Sequence, residues 1–228
     1  DIEYNLIHLP NLVFEVTDAC NLRCKYCGYA DLYEGYDKRE NLKFPFDRAK
    51  HIIEYLYTLW KEHCNPEIIE PVTISFYGGE PLLNIPFIRR VIEFVESLPP
   101  VGKKFFYNMT TNAVLLDKYM DFLQKKNFHL LVSLDGDEEG HSYRIDVTGK
   151  NSFHKVFGNV KLLQIKHPQY YNRYVMFNAV LHNKNSVEST FRFIQENFGK
   201  SPQIFPLNNS GIRPEKIEEF KNTYQNYN

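Results

Sequence analysis

The sequence predicts an α/β fold built on a parallel sheet, and three observations predict it. Six short apolar or β-branched runs recur along the 228 residues. Amphipathic segments of helical period separate them, and small or polar residues close each run. Strict alternation of this kind leads to parallel strands joined by right-handed crossovers. The first strand is read at Leu12–Thr17 and the first long helix at Asp47–His63, where Ile52, Ile53, Leu56, Leu59 and Trp60 share one face. A strand at Val72–Tyr77 precedes a helix at Pro86–Leu98, and a strand at Lys104–Thr110 precedes one at Leu116–Lys126. His129–Leu134 and Ser152–Lys166 form the fourth pair, Arg173–Leu181 and Ser186–Phe198 the fifth, and Gln203–Leu207 and Pro214–Tyr227 the sixth. Asn185 or Ser186 is suited to cap the fifth helix, and Gly199 stands where that helix must end. Six units fall short of the eight strands and about 250 residues of a closed barrel. The sheet is therefore an open, partial barrel or a doubly wound sheet, and either places its chemistry at the C-terminal ends of the strands.

Composition narrows the function. With 27 Lys and Arg against 28 Asp and Glu, no net field favours nucleic acid or an anionic membrane. No apolar stretch approaches membrane-spanning length, and no secretory signal opens the chain. Three of the four cysteines are clustered, which points to reduced, cytoplasmic chemistry instead of a secreted disulfide framework. The 16 Tyr and 18 Phe recur at strand or helix spacing and are read as core. The chain is expected to be one domain over residues 1–228, with the six units spanning about residues 12–207.

The cysteines are Cys20, Cys24 and Cys27, on the loop directly after the first strand. Three thiolates on one loop can hold three irons of a four-iron cluster and leave the fourth iron open. Zinc is the alternative, but structural zinc sites use four ligands, usually as two spaced pairs. His8, His51 and His63 lack such spacing, and Cys64 sits at a helix end where simple packing accounts for it.

Three further segments fall at strand ends. Gly78 and Gly79 allow close backbone approach, and Glu80, fixed by Pro81, suits a ligand ammonium; a tight turn with a solvated Glu is the plainer reading of the same residues. Thr110, Thr111 and Asn112 carry groups able to bond a ligand, or to cap their own strand exit. Ser133, Leu134, Asp135 and Gly136 are followed by His141 and Arg144. Asp135 is a candidate general acid or base, its alternative an ordinary turn; His141 reads as a solvated loop histidine.

Together, the C-x3-C-x2-C loop and Gly78-Gly79-Glu80 one unit later resemble the radical S-adenosylmethionine (SAM) superfamily. With the Ser-Leu-Asp-Gly segment they resemble its branch of sulfatase and peptide maturases. That resemblance implies a partial (β/α)6 barrel, a [4Fe-4S] cluster on Cys20, Cys24 and Cys27, and SAM chelating the open iron. It implies that Gly78, Gly79 and Glu80 bind the methionine amino group, with Thr111 and Asn112 at a customary Thr-Asn position. It places Ser133 on the ribose, Arg144 on the ribose or methionine carboxylate, and Tyr26 and Leu181 beside the adenine. The implied reaction generates a 5′-deoxyadenosyl radical that takes hydrogen from a peptide or protein, and the implied partner is an electron donor such as a flavodoxin or ferredoxin. That branch normally continues into a cysteine-rich domain that Cys64 alone cannot supply; with Asp1 in place of Met, a longer parent chain is expected. A glycyl-radical activase, or a cluster-binding module without catalysis, are the readings from other classes.

Overall fold

The structure, a computed structural model, describes residues 2–35 and 39–224. Its elements run in chain order as α1 (Ile2–Ile7), β1 (Asn11–Thr17), α2 (Phe46–His63), β2 (Glu70–Gly78), α3 (Ile85–Ser97), β3 (Lys103–Thr111), α4 (Leu116–Lys125), β4 (His129–Ser133), α5 (Phe153–Lys166), α6 (Pro168–Tyr174), β5 (Val175–Val180), α7 (Val187–Phe198), β6 (Gln203–Phe205) and α8 (Ile217–Tyr224). Short 3₁₀ turns lead into α3 and α8, at Pro81–Asn84 and Pro214–Lys216.

Every strand pair is parallel, and the spatial order β1-β2-β3-β4-β5-β6 is the order of the chain. This decides between the two sheets the sequence left open. A doubly wound sheet reverses at a switch point and is covered on both faces. A sheet that never reverses is wound in one direction and curls, and this one is the open, partial barrel.

Side chains alternate across each strand, and here only one face is covered. Val16, Ile74, Phe76, Met109, Leu130, Val132 and Phe177 are buried beneath the apolar stripes of the helices, including Ile53, Ile88, Ile92, Leu123, Val156 and Ile194. On the other face Val13, Tyr77, Met176 and Phe205 are about half exposed. The concave side of the sheet is thus open.

Several local expectations are corrected. Ile52 is exposed, and the buried stripe of α2 is Ala49, Ile53, Leu56 and Trp60. The fifth strand starts at Val175, because Arg173 and Tyr174 close α6. That helix is locked by its tyrosines, whose hydroxyls donate to the carbonyls of Phe128 and Phe198. The short α1 went unforeseen; it covers the N-terminal end of the sheet, where Trp60 donates to the Leu6 carbonyl. The last predicted helix resolves into the 3₁₀ turn and α8, and Gln225–Asn228 lie outside the described residues, as does part of the polar stretch Tyr29–Phe46. Ser186 is the cap of α7, in a capping box with Ser189, and Gly199 ends it at φ +64°.

Candidate functional site

Beyond β1 the chain turns into the cysteine loop, which is clamped on both sides. On one side Gly79 N–H donates to the Thr17 carbonyl and Glu80 N–H to the Ala19 carbonyl, both at 2.8 Å. Both glycines are required there. A Cβ on Gly78 (φ +128°) would stand 2.2 Å from the Thr17 oxygen, and one on Gly79 2.2 Å from the Ala19 oxygen. On the other side Arg23 N–H donates to the Ile145 carbonyl (2.7 Å) and Lys25 N–H to the Tyr143 carbonyl (3.0 Å). The loop between strand end and cysteines is therefore held by two segments far along the chain.

This arrangement encloses a cavity of about 400 Å³ at the C-terminal rim of the sheet. Cys20, Cys24 and Cys27 line it, with Tyr26, Gly78, Gly79, Glu80, Thr111, Asn112, Ser133 and Arg144. Leu181 and Asp135 are outside its lining. Leu181 belongs to the sheet edge, donating its N–H to the Phe205 carbonyl.

The thiols are free. Burial pushes Cys24 up to about 12, against the partial relief of the Arg144 charge, and burial raises Cys20 as well. Hydrogen-bond donors reach two of the sulfurs: Leu22 N–H (3.4 Å) and the Asn112 amide (3.7 Å) at Cys20, and Arg39 Nη2 (3.0 Å) at Cys27. Donors on sulfur suit thiolates bound to metal. Among the described residues no three His, Cys, Asp or Glu groups gather as around a single ion. A polynuclear cluster asks for a different layout, one thiolate per iron around a shared space, and Cys20, Cys24 and Cys27 all line the one cavity.

Glu80 is 1% exposed and has no ion-pair partner among the described residues. Its Oε1 accepts from Leu82 N–H (3.1 Å) and the Thr111 hydroxyl (2.7 Å), and its Oε2 from Asn112 N–H (2.8 Å). Burial outweighs these bonds and raises its carboxyl to about 7. A buried carboxylate without a cation is costly, and a bound ammonium relieves it. Linkage fixes the sign for the ligand-free chain. The native carboxyl holds its proton up to about 7 and the unfolded one only to about 4.5, so the contribution of Glu80 to stability falls as pH rises between those values. The loss is on the order of 3 kcal/mol. Urea unfolding at pH 5 and pH 7.5 should show this fall in the difference between the wild type and Glu80→Gln, because buried His141 changes stability in the opposite direction over the same window and is common to both proteins.

Asp135 is fully buried, and both of its oxygens are taken. Arg144 donates side-on, from Nε to Oδ2 (2.8 Å) and from Nη2 to Oδ1 (2.9 Å), and Val180 N–H adds a bond to Oδ1 at 3.0 Å. The Tyr26 hydroxyl donates to Oδ2. Burial alone would raise this carboxyl, but the Arg144 charge and hydrogen bonds hold it below the usual range. An ionised carboxylate so occupied neither carries a proton nor faces the cavity, so the acid–base role considered for Asp135 is replaced by that of an anchor. It orients Arg144 through Nε and Nη2 and leaves Nη1 outside the pair, and it holds Tyr26, whose ring lies beneath the guanidinium (5.4 Å) and stacks on His182 (5.8 Å).

His141 is also not the solvated residue the sequence suggested. It is fully buried, and burial lowers it to about 3. Nδ1 accepts from Asp135 N–H (3.4 Å), while Nε2 meets Ser152 Oγ (3.0 Å), whose own proton goes to the Arg144 carbonyl (2.7 Å). The neutral Nε2–H tautomer satisfies all three, so His141 braces the segment that carries Arg144.

Ser133 is buried and donates to the Asn178 amide oxygen (3.0 Å). The residues of the cavity wall that were missed include Glu15, Tyr29 and Arg39. A signal existed for Glu15, the only charged residue within β1, on the face opposite buried Phe14 and Val16. No helix of the described residues is long and apolar enough to cross a membrane.

Known proteins resemble this chain in sequence and in fold. The radical SAM superfamily profile matches residues 14–194. The cysteine-type anaerobic sulfatase-maturating enzyme of Clostridium novyi is 29% identical over 206 residues, spanning 87% of this chain and 51% of that protein. The radical SAM cyclopropyl synthase TigE of Paramaledivibacter caminithermalis is 26% identical over 86% of this chain and 39% of its own length. Among solved structures, native anSMEcpe with bound AdoMet superposes with TM-score 0.67 at 21% identity, over 87% of this chain and 51% of that one. The same protein with AdoMet and the Cp18Cys peptide gives 0.66 at 20%, over 92% and 56%. The chain spans about half the length, or less, of these curated relatives.

Proposed function

The chain belongs to the radical SAM superfamily, and from that premise we propose that it is the catalytic core of an enzyme that modifies a peptide or protein by hydrogen abstraction. One observation carries the reading furthest. A buried carboxylate without a counter-ion among the described residues, Glu80, shares a cavity with three free thiols. A cluster on the cysteines and the ammonium of SAM beside Glu80 complete both at once.

In this reading Cys20, Cys24 and Cys27 hold a [4Fe-4S] cluster, and Gly78, Gly79 and Glu80 receive the amino group. Thr111 and Asn112 act through Glu80, which they hydrogen-bond. Ser133 meets the ribose, Tyr26 walls the adenine, and Arg144 offers its outer nitrogen to the methionine carboxylate. When bound, the cluster and SAM supply one-electron reductive cleavage to methionine and a 5′-deoxyadenosyl radical. The chain positions the ligand, keeps the cavity closed on the helix side of the sheet and leaves the concave face free for a substrate. That face presents Val13, Tyr77, Met176 and Phe205, a surface suited to an extended peptide with apolar side chains. The likeness to sulfatase-maturating enzymes, and to a solved structure holding a peptide, supports the same substrate class. A flavodoxin or ferredoxin is the proposed electron donor.

Anaerobic reconstitution with iron and sulfide, followed by dithionite and SAM, tests this. The wild type should take up the cluster and release 5′-deoxyadenosine, and Cys24→Ala should do neither. A fully loaded wild type that yields no 5′-deoxyadenosine would overturn the reading.

A further inference from the structure

Arg39 is the cavity residue with the most unusual surroundings. Its Nη2 donates to Cys27 Sγ at 3.0 Å, and its Nε is buried without a partner among the described residues. The guanidinium lies 4.7 Å over the ring of Tyr29, whose hydroxyl is tied to Glu15 Oε1 at 2.7 Å. It also stands in the wall of a second cavity, about 370 Å³, that Cys24 and Cys27 share with Arg23 and Lys25. Arg39 therefore sits between two hollows, on the sulfur that both of them reach.

The other cysteine with donors, Cys20, receives only a neutral backbone N–H and a neutral amide. Cys27 alone is bonded by a side-chain cation among the described residues. We propose that Arg39 sets the reduction potential of the cluster, through the N–H and the positive charge it holds at Cys27. The proposal rests on the cluster reading above.

The physical argument is electrostatic. One electron makes the cluster more negative, and a fixed cation and a donor on sulfur stabilise the reduced form more than the oxidised one. Tyr29 and Glu15 act as positioning residues: the ring carries the guanidinium, and the carboxylate fixes the ring.

The test is an EPR-monitored redox titration of the reconstituted cluster without SAM, in the wild type, Arg39→Met and Arg39→Lys, with iron per chain measured in parallel. Arg39→Met should shift the midpoint to more negative potential. A tenfold or greater change in the reduction equilibrium is expected, which is 59 mV for one electron. Arg39→Lys keeps the charge but loses the fork and should shift less, in the same direction. Equal midpoints in all three proteins at equal iron content would overturn the proposal while leaving the cluster reading intact. If Arg39→Met takes up no iron, Arg39→Lys decides; loss of the cluster in both would make Arg39 structural and overturn a tuning role. A wild type that takes up no cluster would overturn the cluster reading, and this proposal with it.

Discussion

Asp135→Ala is expected to destabilise the ligand-free chain by roughly 3–5 kcal/mol, the cost of leaving one member of a buried ion pair uncompensated. The substitution orphans Arg144 Nε and Nη2, the Val180 N–H and the Tyr26 hydroxyl in one step. For a chain of this size that corresponds to a fall of roughly 6–20 °C in Tm. The companion Asp135→Ala/Arg144→Met removes both charges and should recover part of the loss, because the remaining penalty is unpaired hydrogen bonds and no longer a stranded cation. Thermal or urea unfolding of both variants checks this. A single variant within about 1 kcal/mol of the wild type would mean that the Asp135–Arg144 pair is not the anchor described here.

Gly79→Ala should cost the cluster before it costs the fold. A Cβ at that position would lie 2.2 Å from the Ala19 oxygen and 2.5 Å from the Asp18 oxygen. Those atoms are backbone, so they yield only if residues 18–19, which lead straight into Cys20, move. Iron bound per chain after reconstitution should fall severalfold, with at least about 2 kcal/mol of stability lost as the Glu80 N–H is pulled from the Ala19 carbonyl. Gly158→Ala is the matched control. Gly158 is an exposed residue within α5 with open space where a Cβ would go, so alanine there should stabilise by about 1 kcal/mol and leave iron content unchanged. Normal iron content in Gly79→Ala would show that the contact with residues 18–19 does not hold the cysteine loop.

The elements most legible in the sequence are those whose cause is local. β2 was expected at Val72–Tyr77 and spans Glu70–Gly78; α4 was expected at Leu116–Lys126 and spans Leu116–Lys125. Period, burial pattern and a turn residue decide such segments, and all three are written within a dozen positions. The misplaced start of β5 had a different cause. Tyr170, Tyr171 and Tyr174 carry strand propensity, but Pro168 at a helix start and two hydroxyls bonded to distant carbonyls make the segment α6.

The candidate site divides along the same line. Three cysteines in eight residues, and two glycines before a glutamate, are informative alone because covalent spacing already limits what they can hold. The sequence by itself determined the parallel α/β class, the place of the cysteine loop beyond the first strand, and the candidacy of Glu80. Only the tertiary structure decided that the sheet never reverses, that Asp135 is an anchor, and that Arg39 reaches Cys27. The reason is separation. The Tyr26–Asp135 bond joins residues 109 positions apart and Asn112–Cys20 joins residues 92 apart, and whether such groups meet depends on how the sheet curls, which no local pattern encodes.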